Sequence, residues 1–399
     1  MCNILLMEYI ALKHKLMKEV FIIVLIGLIF MLESCGEKEK NIGDDVLVLD
    51  FRHDGNIDPN EILTTDYIKL ETNDACLIDK VIVQVEYASD KIFILSGGAD
   101  RNLLVFDISG NFINSIGNMG NGPGEYVMPV SFSIDTESNV VSVVDIAQRK
   151  IIEYGLGGFD FISEKELGYY SSCFEYINAN QLLLKNSDSQ SAYKDWEFLL
   201  TGGNLELEDK YVTREFVTGY STGHTKNIYK SEGQVYAYAQ YNPIIYRFQN
   251  DRIEPVYHIQ FGKFNLPPKE YLEAISTNNA NFLAELDVSD YIYYYCVFQT
   301  SNLLNVYYSV AQEAYIGLYN RNNDQIYSFP KTYFEEQMMV GYMDRPAGTI
   351  NDFIVAALQP FDLKERLEDS YNFDPKLKTL IQNSEDDDNP ILFLYKFKD

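Results

Sequence analysis

The sequence predicts an all-β fold, a six-bladed β-propeller with short helical insertions in its late blades. Three observations predict it. The composition is rich in strand-favouring aromatics, with 31 Tyr and 24 Phe against one Trp. A strand–turn–strand unit recurs along the chain. Strand-like segments also stand near both ends of the repeat region, where a closed ring needs them.

The recurring unit is a turn residue, a short apolar strand, a polar turn and a second strand ending in an aromatic. It first appears over Asp90–Asp107 and returns over Ser138–Tyr154, about 48 residues later, which is a blade-length period. A weaker copy runs over Asn180–Ser187 and is completed from Trp196. Further copies begin at Gly233, Val306 and Asp352, the last completed by N-P-I-L-F-L-Y-K-F. Six copies imply six blades, each a small antiparallel sheet buried only by packing on its neighbours.

Ring closure predicts that Tyr67–Leu70 shares a sheet with Ile391–Phe397, tying down a terminus that otherwise frays. Two stretches break the strand rhythm. Pro267–Leu286 and Asp362–Gln382 carry apolar residues at helical spacing, the first after a proline suited to a helix start. Both read as short helices placed to cap one face of the ring or to pack against it.

The first 35 residues read as an address. Val20–Leu32 is a continuous apolar run of 13 residues, short of the about 20 that span a bilayer and within the about 7 to 15 of a secretory core. Lys13, Lys15 and Lys18 flank it, and Met17 is an alternative start. The run ends L-E-S-C, which resembles the lipobox of Gram-negative lipoproteins, with Cys35 as the lipidated residue; Glu33 stands where that pattern favours a small residue. Residues 36–60 then read as a polar tether and 61–399 as the propeller.

The formal net charge is -27, which opposes phosphate backbones and excludes nucleic acid as a partner. Attachment to a membrane must therefore run through the lipid. The five cysteines are scattered, with no C-x-x-C pair, so neither a zinc site nor a disulfide framework is indicated.

Gly117–Tyr126 reads G-N-M-G-N-G-P-G-E-Y and follows a strand ending at Ile116. Its glycines permit positive φ and close backbone approach. No lysine or helix follows, so a phosphate loop is excluded in favour of a tight crossover between blades, with Glu125 placed to cap exposed amides or to face a ligand. With Asp107, Gly110 and the C-terminal Asp387–Lys398, the motif resembles the signature of the six-bladed β-propeller family of secreted Gram-negative lipoproteins, relatives of the NHL-repeat propellers. The resemblance covers roughly residues 45–399. It implies the fold and a cell-envelope, outer-membrane location, periplasmic or surface-facing, and leaves the reaction open.

Candidate site residues follow from strand ends and aromatic clusters. Glu125, Asp145, Asn242 and Asp100 are the oxygen donors that a calcium in the channel would use. Asp145 and Asn242 directly follow strands; Asx turns are their structural alternative. His53, His224 and His258 show no zinc-site spacing. Tyr126 ends the glycine motif. Tyr293 and Tyr295, in Y-I-Y-Y-Y, fall on one strand face with Tyr294 on the other, and suit a sugar or peptide or the packing between blades. The reading is a lipid-anchored envelope protein whose propeller binds a peptide, glycan or protein at its channel or one face. The alternative is a metal-dependent propeller hydrolase or lyase; no catalytic set is recognisable.

Overall fold

The computed structural model describes residues 46–398 except 53–56, 80, 99–100, 219–225, 277–280, 342, 344 and 369–372. The expected signal segment, Cys35, the first part of the tether, His53, His224 and Asp100 lie outside the described residues. The repeats form six four-stranded antiparallel blades. Blade I spans Ile82–Ile116, blade II Pro129–Glu166, blade III Ser171–Thr213, blade IV Ile228–Gln260 and blade V Ile292–Pro330. Blade VI takes Gly348–Ile350, Phe353–Leu358 and Ile391–Phe397 from one end of the chain and Leu63–Lys69 from the other. In that closure Tyr67 lies opposite Phe393.

Strands buried on both faces read as continuous apolar runs, because a blade has a neighbour on each side. Blade I shows how period two divides such a run. From Lys91–Ser96, Ile92 and Ile94 pack with Val355 and Leu392 of blade VI. Phe93 and Leu95 pack with Phe132 and Val143 of blade II. The blade III–IV seam is built likewise from Leu183, Phe198, Ile228 and Val235. Blade VI also joins blade I backbone to backbone, where Gly348 pairs in parallel with Val85. A Cβ at Gly348 would stand 1.8 Å from the Val85 carbonyl oxygen, so only glycine permits the contact.

The stretch 47–60, expected as tether, contributes to the ring. Leu47–Asp50 pairs in parallel with the outer strand of blade IV, and Phe51 is buried against Gly317 of blade V. Pro59–Ile62 then forms one helical turn, capped by the Asp58 carboxylate on the Asn60 amide, leading into the closing strand. Helices occur at Lys269–Ser276, Phe282–Asp287, Pro360–Glu368 and Pro375–Gln382, within or beside the stretches read as helical, and also at Lys331–Met338. The first pair buries Leu272, Ile275, Phe282 and Leu286 against Phe216 and Tyr241. Cys76, Cys173 and Cys296 are buried free thiols.

Candidate functional site

The first strands of all six blades face the axis. Together with short flanking segments they line a central cavity of 250 Å³. Much of its polar wall comes from blades I, III and IV, with Gln84, Glu86, Glu175, Lys226, Tyr229 and Lys230, and Thr136 and Thr349 add hydroxyls beside blades II and VI. Val85, Ile134, Val297, Phe298 and Ala347 supply apolar wall, and Gln299 ends the blade V contribution.

The charged side chains are committed mainly to each other. Lys226 Nζ lies 2.6 Å from Glu175 Oε2 and also pairs with Glu86, and its remaining donor meets the Phe132 carbonyl at 3.1 Å. Glu175 Oε1 accepts a further hydrogen bond from the Ser133 hydroxyl, and Lys230 Nζ stands 3.8 Å from that same oxygen. Gln84 binds this group to blade II: its Nε2 donates to Glu86 (2.6 Å) and to the Phe132 carbonyl (2.7 Å), and its Oε1 accepts from the Ser131 hydroxyl (2.8 Å). One ammonium thus serves two carboxylates. Burial, with the charge of Glu175 beside it, raises the Glu86 pKa despite Lys226. Burial opposes the charge of Lys226, but the two carboxylates together outweigh it and hold its pKa above the ordinary lysine value. At the blade V side, Tyr229 Oη donates to Gln299 Oε1 at 3.3 Å. Gln299 is 3% exposed, and its Nε2 has no partner among the described residues.

The residues singled out from the sequence lie elsewhere. Glu125 Oε2 accepts from the Gly122 amide at 2.8 Å, closing its own turn. Tyr126 is fully buried and donates to the Ile116 carbonyl at 2.9 Å. Gly117, at φ +68, passes so close that a Cβ there would meet the hydroxyl of Tyr154. The glycine motif is thus a packed crossover from blade I to blade II. Asp145 is buried, and its carboxylate accepts from the amides of Val127 (2.6 Å), Met128 (3.2 Å), Ala147 (2.9 Å) and Gln148 (3.1 Å). Asn242 forms an Asx turn, accepting from the Ile244 amide at 3.0 Å. Neither residue lines the central cavity, because Asp145 ends and Asn242 follows the second strand of its blade, one step out from the axis.

The tyrosine cluster is split by a β-bulge between Ile292 and Tyr294, which offsets the expected alternation. Tyr295 is buried and donates to the Ala239 carbonyl at 2.8 Å, joining blades IV and V. Tyr293 and Tyr294 line a second cavity of 360 Å³ with Tyr307 and Arg345, whose guanidinium lies 5.8 Å from the Tyr294 ring centroid. His258 sits on the outer strand of blade IV, its pKa lowered by burial. Among the described residues, no group of three His, Cys, Asp or Glu side chains is placed to hold a metal ion.

Sequence reasoning missed Glu86, Glu175, Lys226 and Gln299. A signal was present: polar side chains embedded in otherwise apolar first strands, as in I-V-Q-V-E-Y-A and S-S-C-F-E-Y-I-N. Lys226 stands in the loop ahead of its strand and carries no such mark.

Residues 37–357 match the family described as 6-bladed beta-propeller, DUF5128. The chain belongs to this family. A solved propeller from Bacteroides fragilis, provisionally described as an exported protein, is similar at 34% identity and TM-score 0.84, over 88% of this chain and 100% of that one. A member of the DUF4221 family from Bacteroides vulgatus shares the propeller fold at 10% identity and TM-score 0.52, over 85% of this chain and 99% of that one. No curated protein matches the propeller by sequence.

Proposed function

We propose that this propeller is an exported envelope lipoprotein, anchored through Cys35, that binds a ligand in its central cavity. The observation that carries the binding reading is the wall itself. Six first strands converge there, and the hydrogen-bonded ion network of Lys226, Glu86 and Glu175 fixes polar groups on rigid elements. No comparable convergence surrounds Asp145 or Asn242, whose oxygens serve their own turns. Export is supported by the description of the B. fragilis relative together with the apolar run and L-E-S-C of this chain.

Two measurements test the proposal. Thermal melting of the full chain with a library of small polar molecules is expected to yield ligands that raise Tm for the native protein. The same molecules should have no effect on Ala88→Trp or Thr136→Trp, which place a bulky ring in the cavity wall. Ligands that stabilise these variants equally would put binding elsewhere. Separately, metabolic labelling with an alkyne fatty acid should tag the native chain and not Cys35→Ala; equal labelling of both would overturn the anchor.

A further inference from the structure

We infer that the ligand of the central cavity is a neutral, hydroxyl-rich molecule of single-sugar size, held through the side-chain amide of Gln299. This rests on the channel-binding reading above and narrows it by charge, hydrogen bonding and size.

Charge comes first. Two carboxylates and two ammonium groups line the cavity, so its formal charge is zero. Lys226 spends its donors on Glu86, Glu175 and the Phe132 carbonyl. An anion would have to compete with Glu175 for Lys226 and Lys230, and the chain's -27 opposes its approach from solution. A cation would find both carboxylates beside a lysine already. A neutral molecule faces neither opposition.

Hydrogen bonding comes second. Buried polar groups are nearly always paired, and Gln299, a residue of the cavity wall, is an exception: its Nε2 is buried without a partner among the described residues, and a rotation of the side chain toward the cavity would bring it to a ligand. The other end of that amide is engaged by Tyr229. A hydroxyl both donates and accepts, so it complements the amide whichever end it meets. Tyr229 and Phe298 add aromatic surface beside it, the kind that a sugar ring's C–H face packs against.

Size comes third. A cavity of 250 Å³ lies just below the range of about 300–1,000 Å³ usual for pockets that take larger ligands. That admits one ring and excludes an oligosaccharide lying wholly inside.

Calorimetric titration of the full chain in detergent tests the inference, using glucose, galactose and mannose, their uronates and 2-amino sugars, and alanyl-alanine. At least one neutral sugar should bind saturably, at least tenfold tighter than its uronate and its amine. Gln299→Leu should weaken that binding at least tenfold while the circular-dichroism melt stays cooperative. Gln299→Glu, which keeps the shape and adds a charge, should also weaken it. Tighter binding of a uronate or of the dipeptide, abolished by Ala88→Trp, would overturn the ligand class and leave channel binding standing. Sugar binding that survives both Gln299→Leu and Ala88→Trp would overturn both. The absence of heat with every neutral sugar would overturn the inference alone.

Discussion

Lys226 and Glu175 meet at 2.6 Å across the wall of the central cavity, one from the loop before blade IV and the other from the first strand of blade III. The contact spans two blades, and Glu86 of blade I brings in a third. The network therefore couples ring geometry to cavity chemistry, and removing its cation leaves the buried Glu175 and the half-buried Glu86 with only Lys230, 3.8 Å from Glu175, as a nearby cation. Lys226→Met should destabilise the fold by about 3–5 kcal/mol. Urea unfolding checks this, and the triple replacement with Glu86→Gln and Glu175→Gln should recover most of the loss.

The raised pKa of Glu86 has a sign that can be measured. Its folded value lies above the reference 4.5, so the stability it contributes is fully present below the unfolded value and is lost as pH rises through the folded one. Native protein should therefore lose stability relative to Glu86→Gln as pH climbs out of the acid range. Unfolding curves for the two chains across that interval should diverge; parallel curves would refute the assignment.

Asp107 supplies the opposite case. Its carboxylate accepts from the Asn111 side chain (2.8 Å) and from the amides of Ser109 (2.8 Å) and Asn111 (2.9 Å), which lowers its pKa below 3.8. Stability from this turn is present above the unfolded value and is lost as pH falls through the folded one. Carbon-detected NMR titration of Asp107 should give a midpoint below the ordinary aspartate value, and Asn111→Ala should raise it.

Asp145→Ala removes the acceptor of four backbone amides in a buried turn and should cost about 3 kcal/mol. The folded fraction should bind any channel ligand with unchanged affinity, measured by titration at low temperature. Altered affinity would restore Asp145 as a site residue.

Gly348→Ala forces a methyl group onto the Val85 carbonyl where blades VI and I touch. Overpacking of this kind costs about 1–3 kcal/mol. A drop in Tm of the full chain, with Gly168→Ala as a glycine control in open space and without a positive φ, separates the steric term from a general glycine effect.

The blades were legible because their strands are written as largely apolar runs. V-V-S-V-V-D and I-I-E-Y report burial on both faces without any knowledge of the partner. The closing pair was legible for a related reason, since I-L-F-L-Y-K-F suits only a strand with two neighbours. The site was not legible. Glu86, Glu175 and Lys226 are 51 to 140 residues apart in the chain and meet only because blades I and III turn their first strands, and blade IV the loop before its own, toward the axis. The bulge at Tyr293 depends on pairing with Leu303–Val310, so alternation read from one strand alone assigns its faces wrongly. Lys331–Met338 escaped notice because K-T-Y-F-E-E-Q-M has only two or three apolar positions to set a helical period.

Blade VI also carries a long loop closure. Blades I to V are local meanders, each able to pair its strands as soon as it is available. Blade VI must unite segments so distant that its flanking hydrogen bond, from Lys398 Nζ to the Asn60 carbonyl, spans 338 residues. Long-range pairing of this kind pays its loop entropy before its contacts repay it, and is correspondingly slow. The seam between Leu63–Lys69 and Ile391–Phe397 is therefore the pairing on which the long loop closure of the ring falls.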